Sequence, residues 1–297
     1  MKQKLPAGSR LLTRAAEYSG VAALVLLWEI LPRTNRLDPF LPRFSQALAG
    51  LGRLLLEGVL FTSVMVSLWR ALLGLLIAAA AAIPLGFLLG RLSVTRQCVN
   101  PLFRMLAQVN PFSLMPVFIL FFGIGERVKI AVVAWVSLWP LLFNTIEGAR
   151  NIDPVIIKTA RAMASSGLAL VFRVMVPGAA ASMVAGIRLA LEMSFFMLIV
   201  AEMTGASSGL GWLLHNSAMN IQFVRMYASI LAIVVLGFGI SKFLKAVQKN
   251  RVGFPAAAGL LILVLVLGTW QIGVSQRQQE NFNHTPTGHM PAGGGME

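Results

Sequence analysis

Two charged residues stand four apart in an otherwise apolar run: Arg188 and Glu192, in IRLALEMSFF. On a helix that spacing puts a guanidinium and a carboxylate on one face, where each neutralises the other at a depth at which a lone charge is costly. The expectation is an ion pair turned toward the interior of a bundle. The sharper alternative is that Arg188 touches an anionic solute. Pro111 and Pro116 break the start of another apolar run, freeing backbone carbonyls that protein or a water-filled cavity must satisfy. Asn110, Ser113 and Met115 at that break are therefore candidates for a solute path, against the plainer reading of a packing kink. Nothing points to covalent chemistry. Cys98 is the only cysteine, and His215, His284 and His289 have no ligand spacing, so neither a disulfide nor a metal site is expected. The stretch from Thr204, TGASSGLG, is glycine-rich but lacks the lysine of a phosphate loop. No cofactor and no enzymatic activity are expected, and any ATP that drives this protein must be bound by another polypeptide.

A second kind of site lies in the polar interruption FNTIEGARNIDPVIIKTARAMASSGLALVFRVMVP, residues 143 to 177. Asp153 before Pro154 is a helix-start signal: the carboxylate caps free N–H groups, and proline in the first turn gives up no hydrogen bond. A short helix is predicted from Pro154 to about Met163. Ser165, Ser166 and Gly167 interrupt it, a further turn or two carries Leu168 to Val176, and Pro177 is predicted to stop that run. Ala160 and Ala164 share a face small enough to enter a partner's groove, with Lys158, Arg161 and Arg173 as basic rims. The alternative is an amphipathic helix lying on the membrane surface.

The elements that must position these residues are membrane helices. Of 297 residues, 57% are hydrophobic and 12% charged, and the mean hydropathy is +0.77, which no soluble core requires. The net charge of +14 comes from basic residues at the ends of apolar runs, not from a stripe that would track nucleic acid. The predicted fold is all-α, a polytopic bundle of about six core spans plus a seventh at the C-terminus.

Tyr18 to Pro32 is a short first span of about fifteen residues, preceded by a basic segment, 1 to 17. A polar loop with a surface helix near Arg53 and Glu57 leads to a second span, Phe61 to Gly90. Its AAAAAI run, Pro84 and Gly86 offer small residues for close packing. A turn from Arg91 to Pro101 precedes the broken third span, and the Gly123 to Gly125 turn returns a fourth, Val128 to Ile146. The fifth runs from Ala179 to Met203, a short helix near the membrane surface follows, and the sixth runs from Met226 to Ser241. Val252 to Gln276 is long enough to cross once more, before a polar tail, 277 to 297, expected to be disordered. These bounds give a main membrane domain of 18 to 251. With the N-terminus and the 147 to 177 loop in the cytoplasm, fifteen basic residues lie inside and eight outside.

The loop resembles the coupling loop of bacterial ABC-importer permeases. Aligned without gaps on Pro177, the family's glutamate falls on Lys158, its two alanines on Thr159 and Ala160, and its glycine on Ala164, while Val174 and Pro177 match the ending. Lys158, Thr159 and Ala164 depart from the pattern. WPLLFNTIEGARNIDP, VFILFFGIGERVKI and AEMTGASSGLGWLL resemble recurring phrases of the sulfonate, taurine and nitrate branch, and the similarity runs from about Leu41 to Lys249.

The resemblance implies a permease in the bacterial inner membrane, working with cytoplasmic ATPases, an external binding protein and a second permease subunit, alike or different, to import a small anionic solute. It also implies that Asp153, Pro154, Lys158, Thr159, Ala160, Arg161, Ala164 and Ser166 carry the contact with the ATPase. The rival readings are a secondary transporter or channel, for which an inverted repeat is the missing signal, and a non-transporting scaffold.

Overall fold

Apolar runs of this length satisfy their backbone in a bilayer by forming helices, and every regular element among the described residues is helical. The computed structural model describes residues 7–34, 40–91, 93–163 and 167–249. The expected seventh span, the tail, and Ala164 to Ser166 lie outside the described residues.

In chain order the helices are α1 (Ala7–Thr34), α2 (Phe44–Leu56), α3 (Val59–Arg91), α4 (Ser93–Ala107), α5 (Met115–Phe122), α6 (Glu126–Arg150), α7 (Pro154–Ala162), α8 (Gly167–Leu170), α9 (Val176–Met203), α10 (Leu210–Met219) and α11 (Phe223–Lys249). Val59–Gly90, Glu126–Arg150, Val171–Met203 and Phe223–Ala246 are long and apolar enough to cross a membrane. The 28 residues of α1 extend about 42 Å at 1.5 Å per residue, well beyond the apolar stretch that suggested a short first span.

The central helix is α6, packed along its length between α3 and α9. Small residues set the two seams. Gly86 and Gly90 of α3 face Thr145 and Ala149, and Gly148 faces Ala179 and Ser182 of α9, each closer than an added Cβ would tolerate. At the end of the bundle near α7, Phe87, Ala149, Ile152, Met175 and Ala179 close the core. At the opposite end, Leu54 of α2, Phe195 of α9, Leu213 of α10 and Ala228 of α11 form a second apolar cluster. The short α10 thus buries Leu210 and Leu213 against its neighbours where only a surface helix was expected.

Three expectations are corrected. Most of the expected Arg91 to Pro101 turn is instead the start of α4, because Val99, Phe103 and Leu106 make a helical stripe against the core despite the polar residues between them. The third span is accordingly two pieces, α4 and the eight-residue α5, with the break at Gln108 to Leu114. Pro177 does not stop its run. A π-helical turn at Val171–Met175 joins α8 to α9, placing Pro177 in the first turn of α9, where its missing N–H is accommodated. Residues 167 to 203 therefore run as one continuous helical stretch from α8 into α9.

Candidate functional site

Local chemistry builds α7. Oδ1 of Asp153 accepts a hydrogen bond from the Val155 amide at 2.8 Å, and Pro154 occupies the first turn. The Thr159 hydroxyl donates back to the Val155 carbonyl at 2.9 Å. One face of the helix rests on the bundle through Ile157, which packs on the Phe87, Ile152 and Met175 cluster, and Ala160 lies half-buried on the same side. The other face is apolar and open: Val155, Ile156 and Met163 are 65%, 53% and 76% exposed. Lys158, Thr159 and Arg161 are also exposed.

Of the predicted docking pair, Ala160 is half-buried on the Ile157 side of the helix, and Ala164, like Ser166, lies outside the described residues. Asp153→Ala is expected to remove the cap at a cost of about 1 kcal/mol, raising amide exchange at Val155 to Ile157 about five-fold while the exchange of α6 stays unchanged.

At the opposite end of the bundle, the fully buried Arg70 of α3 has all five N–H groups satisfied. Its Nε and Nη2 donate to the two oxygens of Glu126 at 2.5 and 2.7 Å, the bidentate arrangement that is strongest for a guanidinium. Nη1 donates to Glu202 Oε1 at 2.6 Å and to the Ser208 carbonyl at 2.8 Å, and Nη2 donates also to the Ser208 hydroxyl. Glu202, equally buried, accepts from the Ser67 hydroxyl and from the Gly211 amide at 2.9 Å. Lys129 is 3% exposed and reaches Glu126 at 3.3 Å, so it is not the solvent-facing loop charge counted outside.

Two cations and two carboxylates cancel, and they tie α3, α6, α9 and the loop before α10 at one point. Glycine is required beside them: at Gly209, φ 110°, and at Gly211, a Cβ would strike the Glu202 side chain, and at Gly211 the Ile199 carbonyl as well.

The Arg188–Glu192 pair forms, at 3.2 Å, with side chains 29% and 28% exposed, so it is half-buried against the neighbouring helix and not fully enclosed. Both residues reach across to α11, Arg188 to Gln248 and Glu192 to the Ser241 hydroxyl, because α9 runs alongside the end of α11 nearest the α7 loop. Asn110 and Ser113 are exposed in the break between α4 and α5, where Asn110 Oδ1 accepts from the Phe112 amide. Met115 is buried among Val128, Val132 and Ala201, with its sulfur accepting from Thr204. The structure does not bring these five residues into one cluster, since their contacts go to different elements.

The Arg70 cluster escaped the reading of the chain because its partners are 56 and 132 residues away. The available signal was Arg70 itself, a lone basic residue in an apolar span, which by default must have a partner. Among the described residues no three His, Cys, Asp or Glu side chains gather as a metal site would need.

Comparison with known proteins agrees with this architecture. Residues 82–253 match the family described as "Binding-protein-dependent transport system inner membrane component". The chain is 33% identical over 227 residues to the putative aliphatic sulfonates transport permease protein SsuC of Escherichia coli, covering 76% of this chain and 86% of that protein. It is 26% identical over 236 residues to the taurine transport system permease protein TauC of the same organism, covering 77% and 86%. It is 30% identical over 198 residues to the nitrate import permease protein NrtB of Leptolyngbya laminosa, covering 64% and 71%.

Proposed function

This chain belongs to the family of inner membrane components of binding-protein-dependent transport systems, and we propose that it forms, with a second permease subunit, the path for import of a small anionic solute such as a sulfonate, taurine or nitrate. Similarity to permeases named for these three solutes supports that class. An external binding protein delivers the solute, and cytoplasmic ATPases supply the energy. The N-terminus and α7 face the cytoplasm, a placement supported by the excess of basic residues on that side of the chain.

The observation that carries this reading is α7: a capped helix with an open apolar face, joined through α8 and the π-turn to α9. A groove on each ATPase grips Val155, Ile156 and Met163, with Lys158, Thr159 and Arg161 at the rim and Asp153 and Pro154 fixing the start. Ala160 keeps α7 close to the bundle, and the Ala164 to Ser166 segment completes the contact. Closure of the ATPases moves α7, and the helical junction passes that displacement to α9. The Arg70 cluster holds the far ends of α3, α6 and α9 together, so the displacement turns the bundle about that point. Asn110 and Ser113 in the helix break lie beside the path, with Met115 anchoring the start of α5 behind them, and Arg188, held by Glu192, offers its remaining donors to an anion.

The test is purification of the chain from its native membrane in mild detergent, followed by reconstitution with whatever protein accompanies it. An ATPase in stoichiometric amount, and uptake of taurine, an alkanesulfonate or nitrate that requires ATP and the binding protein, are expected. Uptake by the chain alone, without ATP, would overturn the importer reading.

A further inference from the structure

Where α4 passes the last two turns of α6, the two helices flank a polar cavity of about 290 Å³, lined by Asn100, Arg104, Phe143, Ile146, Glu147 and Arg150. The lining follows from helical spacing. Asn100 and Arg104 stand at i and i+4 on α4, and Phe143, Glu147 and Arg150 at i, i+4 and i+7 on α6. The Arg104 guanidinium lies over the Phe143 ring, 5.7 Å from its centroid. That contact with the ring face leaves the guanidinium N–H groups free to donate. Glu147 is the cavity's only acid, and its Oε1 already accepts from Asn151 at 3.1 Å.

Among the described residues neither Arg104 nor Arg150 has a carboxylate partner. Arg70 shows the contrast, since protein groups take every one of its donors. Two guanidinium groups and an amide around a small concave space, with one engaged carboxylate, form a surplus of donors and of positive charge that suits an oxyanion.

We propose that this cavity binds a phosphate or sulfonate oxyanion on the α7 side of the membrane, presented either by an anionic lipid headgroup or by the imported solute after release. The sidedness rests on the importer reading above. Basic pockets between membrane helices on the cytoplasmic side are suited to lipid phosphates, while a free sulfonate reaches the same donors from the cytosol. Arg150 is the last residue of α6 and stands three residues before the Asp153 cap of α7. A bound oxyanion therefore braces α4 against the point at which α6 hands over to the coupling helix, so its occupancy bears directly on how freely α7 moves.

The experiment uses the full chain in two kinds of nanodisc, one of phosphatidylcholine alone and one containing phosphatidylglycerol. Calorimetric titration with sodium sulfate at constant ionic strength probes the first, and native mass spectrometry of retained phosphatidylglycerol probes the second. Saturable sulfate binding assigns the site to a soluble oxyanion, and selective lipid retention assigns it to a headgroup.

In either case the R104Q/R150Q variant is expected to weaken binding at least ten-fold. Glu147→Gln, which removes the competing charge, is expected to tighten it several-fold, a gain that misfolding does not produce. Equal sulfate binding and equal lipid retention in all three proteins, including none in any, would overturn the proposal. Both readouts are equilibrium binding without an ATPase, so failure here leaves the importer reading intact, and failed transport leaves this site intact.

Discussion

Arg70→Met is expected to cost the bundle about 3–5 kcal/mol, because it leaves the fully buried Glu202 carboxylate without its cation. The variant should insert, lose a large part of its thermal stability in detergent, and fail to support uptake. The R70M/E202M double variant is expected to be more stable than the single one. It removes one charge of each sign and leaves Glu126 with Lys129, its 3.3 Å partner. It does not return fully to the parent, since Ser67, the Ser208 carbonyl and the Gly211 amide lose partners, at about 1–3 kcal/mol for each that stays buried and unsatisfied. Arg70→Lys is expected to rescue little, because an ammonium cannot reproduce the two-pronged contact with Glu126. Thermal midpoints from fluorescence-detected size-exclusion chromatography decide the matter: a single variant as stable as the parent, or a double variant whose loss is the sum of its parts, would refute the clamp.

Neighbouring residues on α7 are expected to fail in opposite ways. Ile156 is 53% exposed on the open face, so Ile156→Asp should leave the fold intact, reduce co-purified ATPase at least ten-fold and abolish ATP-driven uptake. Ile157 packs on the Phe87, Met175 and Ala179 cluster, so Ile157→Asp should instead lower the thermal midpoint, burying a charge where no partner waits. Ala160→Trp belongs with the second class, since its half-buried position makes the larger side chain lift α7 off the bundle. Unchanged ATPase stoichiometry in Ile156→Asp would remove Val155, Ile156 and Met163 as the docking face.

What was legible in the chain was what depends on neighbours in sequence. Asp153 and Pro154 set the start of α7 because a cap needs only the next two residues, and Gly123 and Gly125 mark a turn because both take positive φ. The break before α5 could be read from Pro111 and Pro116 for the same reason. The helix α4 could not be read from polarity, since its half-buried stripe of Val99, Phe103 and Leu106 is interrupted by residues that suggest a turn. The π-turn before Pro177 leaves no trace in residue types, because one extra residue per turn is a choice of backbone. The Arg70 cluster depends on three helices meeting, and no local pattern encodes which carboxylates will arrive.

The separation of those carboxylates along the chain also sets a problem in time. Arg70 leaves the ribosome 56 residues before Glu126 and 132 before Glu202, and at about 5–20 residues per second the second interval is on the order of ten seconds. Throughout it, α3 must enter the bilayer carrying a cation that has yet to meet its full complement, at an insertion cost of about 2.5–3.5 kcal/mol for a charge at the helix centre. The twenty uncharged residues that follow Arg70, Ala71 to Gly90, suit a segment that must commit to the membrane on its own. Translation stalled between Glu126 and Glu202 would yield an inserted but unlocked bundle, the species that membrane quality-control proteases meet when synthesis is interrupted.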